Sequence, residues 1–154
     1  MLFQDRRRWA AALIAIGALG VLIVPGCSTG PRRVPAGGTV TLDNKPMEGG
    51  VLYFNPDASK GNMARVSCTS PIRKDGTFNL RTDGVERSDS GPGVPLGWYK
   101  VTVRVNDPGE VPTFPGQPAY KIHPKFRDPD KTPLVIEVVD DPAPGAYDLK
   151  ITSK

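Results

Sequence analysis

The stretch Gly97-Trp98-Tyr99-Lys100-Val101-Thr102-Val103-Arg104-Val105 decides the fold, because its side chains alternate between two classes. The residues of one class share one face: Tyr99, Val101, Val103 and Val105. The residues of the other class share the opposite face: Trp98, Lys100, Thr102 and Arg104. Successive side chains of a β-strand point to opposite faces of the sheet, so this pattern predicts a strand with one buried face.

The same period of two recurs along the rest of the chain, and no helix-period segment follows the first 27 residues. Asp43-Asn44 and Asp75-Gly76 supply turns between alternating segments. The near-continuous apolar run Leu134–Val139 predicts a central strand. With the stretch quoted above, the predicted strands are Thr39–Leu42, Val51–Phe54, Ala64–Thr69, Thr77–Leu80, Trp98–Val105, Leu134–Val139 and Tyr147–Ile151. We therefore predict an all-β, seven-stranded antiparallel sandwich.

Two long connections interrupt this pattern, at residues 82–97 and 106–133. The second contains seven prolines, which exclude regular strand pairing through most of it. We expect Ile122 and Phe126 to pack this connection against the sandwich. Loops of such length in a compact domain are usually functional or mobile, so its basic residues are candidates for recognition.

The amino terminus has the pattern of an export signal. Arg6, Arg7 and Arg8 precede the apolar stretch Trp9–Val24, which ends at Pro25-Gly26. Sixteen helical residues reach about 24 Å, which is short of a hydrocarbon core of about 30 Å. The segment therefore predicts a signal-peptide helix over residues 1–26 that precedes the sandwich, with an uncleaved membrane anchor as the alternative.

Val24-Pro25-Gly26-Cys27 resembles the lipobox of bacterial lipoprotein signal peptides. The resemblance implies cleavage between Gly26 and Cys27 and acylation of Cys27, which would tether the protein to the lipid bilayer. The predicted organisation is then a signal peptide at 1–26, a lipidated cysteine with a flexible tether at 27–37, and a domain at 38–154. The location implied is the periplasmic face of a bacterial membrane or the outer membrane.

Charge and cysteine content limit the remaining possibilities. Without residues 1–26 the chain keeps 17 of its 20 basic and 15 of its 16 acidic residues. This small positive excess argues against a partner that is a nucleic acid. Alternation places Cys68 beside Ala64 and Val66 on the core face. If Cys27 carried no lipid, a Cys27–Cys68 disulfide would be the rival interpretation.

Three segments together resemble carboxypeptidase-regulatory-like, transthyretin-like domains: Gly38–Val51, with its Asp43-Asn44-Lys45-Pro46 turn, Lys74–Phe78 and Gly93–Val103. The chain is similar to small bacterial lipoproteins that carry one such domain. The resemblance implies a Greek-key sandwich of the prealbumin type. It also implies little chemistry, because in zinc carboxypeptidases this domain only accompanies a catalytic one.

Candidate catalytic and metal sites are sparse. His123 is the single histidine, whereas sandwich enzymes of this type use more than one, so we predict no enzyme, no cofactor and no metal. A small periplasmic hydrolase or metalloprotein that uses His123 is the minor alternative. Asp83, Glu86 and Asp89 lack the order of a calcium loop and are interpreted as a solvated segment, with calcium as the alternative.

The outward face of the Trp98 strand is the candidate binding site. Trp98 stands beside Lys100 and Arg104 there, and an indole next to cations can stack on a sugar or anchor a protein. The alternative is that residues 106–133 fold over this face and cover it. The sequence thus predicts a non-catalytic structural or binding module of the cell envelope, with a carbohydrate-binding lipoprotein as the alternative and its oligomeric state open.

Overall fold

The structure, a computed structural model, describes residues 32–84 and 90–154. The predicted signal peptide, Gly26, Cys27, Glu86 and Asp89 lie outside these residues. The described residues form twelve short strands: β1 (Arg33–Val34), β2 (Gly37–Leu42), β3 (Lys45–Pro46), β4 (Val51–Pro56), β5 (Ser67–Pro71), β6 (Thr77–Asn79), β7 (Arg81–Asp83), β8 (Gly91–Pro92), β9 (Val94–Pro95), β10 (Gly97–Arg104), β11 (Val135–Val138) and β12 (Leu149–Ile151). Two short 3₁₀ helices, Ala58–Lys60 and Pro124–Arg127, lie between strands. The all-β prediction is confirmed.

The larger sheet has six strands in the order β11-β10-β4-β5-β7-β8, and its neighbours are antiparallel. β10 is the longest strand and pairs with β4 through Val101 opposite Phe54. Its inward residues Tyr99, Val101 and Val103 are fully buried, which confirms the predicted alternation.

The smaller sheet is built around β2. β12 pairs with β2 in parallel, with Leu149 opposite Val40, while β3 and β6 pair with β2 in antiparallel register. A separate two-stranded ladder joins β1 to β9. The prediction of seven strands and wholly antiparallel pairing is therefore wrong in detail, and the fold is described as a sandwich-like all-β domain. Which distant strands become neighbours depends on contacts that alternation along the chain does not specify.

The core lies between the two sheets. The rings of Phe54, Phe78 and Tyr99 meet there, with the Phe54 centroid 6.1 Å from each of the other two. Leu52 and Val40 are also fully buried. Burying one such side chain contributes about 1.5–3 kcal/mol, so apolar packing across the sheets is the main source of stability.

The apolar run Leu134–Val139 is not a central strand. It forms β11, which stands at the edge of the larger sheet beside β10. Val138 is buried whereas Glu137 is exposed, so only one face of β11 packs on the core. Leu134 and Ile136 contribute partial burial to that face. An apolar run alone does not reveal whether a second strand continues the sheet beyond it.

The domain begins earlier than the predicted boundary at residue 38. Arg33 pairs with Pro95 and Val34 pairs with Val94, and both Val34 and Ala36 are 5% exposed. Residues 33–37 of the predicted tether therefore belong to the packed domain. The prolines of this segment suggested an extended tether, but the apolar side chains between them bury on the sandwich.

The predicted turns occur, although one has a different role. Asp43 and Asn44 adopt positive φ of 49° and 64° and connect β2 to β3 in a two-residue hairpin. At Asp75-Gly76, Gly76 donates to the Arg73 carbonyl at 3.0 Å. This turn leads from β5 of the larger sheet to β6 of the smaller one, so it joins the two sheets.

Candidate functional site

The most elaborate surface feature surrounds Trp98 at one end of the larger sheet. We call this region, residues 57–64 and 95–98, the Trp98 corner. The backbone carbonyl of Trp98 accepts two hydrogen bonds, from the Asp57 amide at 2.9 Å and from Asn62 Nδ2 at 2.8 Å. Two residues of one loop thus fix the start of β10 in place.

Asp57 organises this loop. Its carboxylate accepts from the Ser59 amide at 3.1 Å and from the Ser59 hydroxyl at 2.6 Å, which caps the 3₁₀ helix Ala58–Lys60. The Ser59 hydrogen bonds lower the pKa of Asp57. The Asp57 carbonyl also accepts from the Asn62 amide at 3.1 Å, which closes the loop.

Gly97 allows Asn62 to approach the strand. Its φ is +134°, in a region that side chains disfavour, and a Cβ there would lie 3.0 Å from Asn62 Nδ2. A larger residue at position 97 would therefore displace the amide that binds the Trp98 carbonyl.

The indole of Trp98 is partly exposed and carries a cation on one face. Lys60 Nζ lies 3.6 Å from the ring centroid, which is a cation–π contact. Trp98 thus presents a hydrophobic ring at the surface with an ammonium group beside it.

Next to this ring lies an open cleft of about 360 Å³. Its lining includes Lys60, Asn62 and the exposed apolar side chains Met63 and Leu96. Met63 is 77% exposed and Leu96 42%, so the corner displays apolar surface to its surroundings.

The structure groups only two of the three residues predicted to share the binding face. Lys100 lies two residues from Trp98 on the same face, and its ammonium is 4.0 Å from an Asp130 carboxylate oxygen. Arg104 follows Trp98 by six residues, which is roughly 20 Å along a strand. Arg104 therefore lies at the opposite end of β10 from the corner. Thr102, which stands between them on this face, is only 5% exposed.

The loop 106–133 lies along the side of the sandwich. The group that lies over the Trp98 ring is Lys60, which belongs to a different loop. Ile122 and Phe126 of this loop are buried in the core, as predicted. The His123 amide donates to the Thr152 carbonyl at 3.0 Å, just after β12. At the other end of the loop, the Thr132 hydroxyl donates to the Val101 carbonyl of β10 at 2.7 Å. The loop thus links β10 of the larger sheet to the end of β12 in the smaller sheet.

His123 has a structural role in this loop. Its Nδ1 accepts from the Lys125 amide at 3.1 Å and caps the 3₁₀ helix Pro124–Arg127. Asp83, the described member of the acidic trio, accepts a hydrogen bond from the Thr69 hydroxyl and pairs with Arg81 at 3.7 Å. Among residues 32–84 and 90–154, no group of three side chains is arranged to hold a metal ion.

Cys68 faces the core, as predicted. It is fully buried, its sulfur lies 3.6 Å from the Thr82 hydroxyl, and desolvation raises the pKa of its thiol. A neutral buried thiol of this kind behaves as a small hydrophobic side chain.

The sequence does not indicate which residues surround Trp98. Lys60 and Asn62 contact it, and Met63 and Leu96 line the adjoining cleft. They come from a loop and from the residue between β9 and β10, neither of which carries a strand pattern. The segment Asp57-Ala58-Ser59 does have the spacing of a side-chain cap, and Gly97 precedes the strand. These signals indicate local turns but not that the turns meet at Trp98.

Comparisons of the chain with protein-family models, with curated proteins and with solved structures find no match. Across the part of the chain that the structure describes, no helix is both long and apolar enough to cross a membrane.

Proposed function

We propose that this protein is a lipid-anchored module of a bacterial cell envelope, held at the membrane by acylated Cys27 and without catalytic activity. The observation that carries the proposal is the run Val24-Pro25-Gly26-Cys27 at the end of the apolar stretch, and the folded domain starts soon after that cysteine. β1 begins at Arg33 and pairs with β9, so residues 28–32 are all that separates Cys27 from the packed domain.

This short connection limits how far the domain stands from its anchor. Five residues span at most about 18 Å when fully extended. Two or three acyl chains hold a protein stably at a bilayer. A domain tethered this closely stays within reach of the headgroups, which suits a module that acts on or near the membrane surface.

The resemblance to transthyretin-like domains supports the same proposal. In zinc carboxypeptidases such a domain accompanies a separate catalytic domain, which fits a structural or binding role for this chain. His123 is engaged as a helix cap, so the alternative of a hydrolase or metalloprotein built on it gains no support from its contacts.

A carbohydrate-binding lipoprotein is the second candidate, favoured by the partial exposure of Trp98 beside an open cleft. Sugar rings stack on indole faces, but Lys60 Nζ already lies 3.6 Å from this ring centroid. A sugar would have to displace Lys60 or use the cleft next to it. Saturable binding of an envelope glycan that Trp98→Ala removes would support this candidate.

The proposed anchoring is tested by labelling cells with an alkyne fatty acid and comparing two cysteine variants of the full chain. We expect the wild-type protein to incorporate the label and Cys27→Ala to lose it, because both the diacylglyceryl group on the thiol and the acyl chain on the new amino terminus require Cys27. Cys68→Ala is the matched control. Because Cys68 is buried in the core, the variant that lacks it should be labelled as fully as the wild type. Label retained by Cys27→Ala would overturn the proposal.

A further inference from the structure

Exposed apolar side chains concentrate at one end of the domain. Among the described residues, the large hydrophobic side chains with substantial exposure are Met63, Leu96, Val111 and Val139. Met63 and Leu96 line the cleft beside Trp98. Val139 directly follows Val138, which pairs with Gly97 at the start of β10. Three of the four therefore lie at or next to the Trp98 corner, and Val111 lies apart in the long loop.

The chain from Cys27 enters the domain at this same end. Arg33 pairs with Pro95, the residue before Leu96. One residue earlier, Arg32 forms an ion pair with Asp140 at 2.8 Å, next to Val139. The first described residue is thus placed beside the exposed apolar groups, and an anchor within about 18 Å of it would hold this end toward the bilayer.

The corner carries charges of both signs. Lys60 and Arg65 are exposed there and flank Met63 in sequence. Asp57 lies within the corner near Lys60, whereas Glu137 lies on β11 and Asp140 and Asp141 follow that strand, with Asp140 paired with Arg32. Exposed cations close to an anionic leaflet each contribute about 1 kcal/mol of attraction, and these carboxylates offset it, so the exposed apolar side chains carry the argument for docking.

The chemistry of Trp98 and Lys60 fits the same surroundings. Tryptophan is enriched at the membrane interface, where its ring lies among apolar groups and its N–H meets water. A lysine beside it can extend its ammonium group toward the headgroups while its methylenes stay on apolar surface. Soluble surfaces seldom cluster exposed methionine, leucine and tryptophan without an interaction partner.

We propose that the Trp98 corner, together with Val139, is a membrane-docking surface that rests on the headgroup region of the bilayer holding Cys27. This inference rests on the proposed lipid anchor, which raises the local concentration of lipid so that a weak contact suffices. Docking orients the domain with β1 and the start of β10 toward the membrane. The opposite end of β10, which carries Arg104, then faces away from the membrane toward other envelope components.

Trp98 itself serves as the probe. The chain has two tryptophans, Trp9 and Trp98, so a full chain with Trp9→Phe retains Trp98 as the only one. This protein is purified from bacterial membranes in detergent and reconstituted into vesicles of phosphatidylethanolamine and phosphatidylglycerol. We expect most of the Trp98 emission to be lost when the vesicles contain 5-doxyl phosphatidylcholine, with no loss in vesicles without the doxyl group.

Two variants in the same background separate docking from anchoring. Met63→Asp with Leu96→Asp should float with the vesicles yet lose the quenching, because two carboxylates oppose contact with an anionic surface. Val111→Asp is the matched control: Val111 is 91% exposed in the long loop, and its change should leave the quenching intact.

The possible results distinguish the docking surface from the lipid anchor. Flotation without quenching overturns the docking surface while the anchor stands, and accessibility of Trp98 to iodide would then leave the corner free for a protein or glycan. Quenching of a protein whose intact mass shows no lipid supports docking and contradicts the lipid anchor. Protein that neither floats nor is quenched overturns both.

Discussion

Tyr99 shows how one buried polar group is accommodated in the core. Its hydroxyl donates to the Pro95 carbonyl at 2.8 Å, and the side chain is fully buried. Tyr99→Phe removes the donor and leaves that carbonyl without this partner. We expect a loss of about 1–2 kcal/mol in the free energy of unfolding, measured by urea denaturation. Tyr53→Phe, on the partly exposed outer face of β4, is the control and should change it little.

The same residue makes stability depend on alkaline pH. Burial raises the pKa of Tyr99 to about 12, above its ordinary value of 10.0. A raised pKa means that the stabilisation is fully present below pH 10 and is lost as the pH rises toward 12. Tyr99→Phe should therefore show a shallower decline than wild type in that window. The thiol of Cys68 interacts with Tyr99, so both proteins are compared in a Cys68→Ala background. Equal slopes would contradict this assignment.

The sequence pattern predicts the direction of single side chains well where they lie on a long strand. Tyr99, Val101 and Val103 point inward because the backbone of β10 alternates, and this needs no knowledge of neighbours. The position of Lys60 over Trp98 is different. It depends on how a separate loop returns to the strand, which the identity of neither residue reveals.

The loop 106–133 is an ordered element despite its seven prolines. Asn106 is buried, and its side chain bonds to the Phe114 amide and carbonyl and to the Gln117 carbonyl, at 2.8–3.0 Å. A bidentate ion pair joins the Arg127 guanidinium to Asp107. These contacts replace the ladder hydrogen bonds that prolines prevent.

Asp107→Asn should loosen this loop without unfolding the sandwich. The Arg127 hydrogen bonds lower the pKa of Asp107, so the pair stabilises the protein above pH 3.8 and its contribution is lost as the pH falls below that value. Both side chains are partly exposed, so we expect a cost below about 1 kcal/mol. Hydrogen exchange should be faster than in wild type around residues 106–127 at pH 7.

The matched control for this change is Asp130→Asn. Its side chain is 90% exposed and lies 4.0 Å from Lys100, so it should leave exchange in residues 106–127 unchanged. If exchange in Asp107→Asn were as slow as in wild type, the ion pair would not be what holds the loop.

Strand prediction succeeds for the long elements and fails for the shortest. β2, β4 and β10 carry several alternating residues each, whereas β1, β8 and β9 have two residues and no period to read. β11 is predicted as a strand but placed wrongly, because an edge strand and a central strand can both be apolar. Its true position depends on its pairing with β10 alone.

At the scale of the whole molecule, the all-β class follows from period and turn residues, but the arrangement of sheets does not. The parallel pairing of β12 with β2 joins the two ends of the described chain, and no local signal indicates it. The proposed membrane anchor, in contrast to the sheet arrangement, is predicted from a contiguous motif alone. The fold adds only the closeness of β1 to Cys27.

The intact mass of the protein isolated from its own membranes tests the lipid anchor most directly. We expect a polypeptide that begins at Cys27 and carries the added mass of a diacylglyceryl group and one further acyl chain. Loss of that added mass with Cys27→Ala, but not with Cys68→Ala, would locate it. A mass equal to the unmodified chain, whether it begins at Met1 or after a cleaved signal, would contradict the lipid anchor.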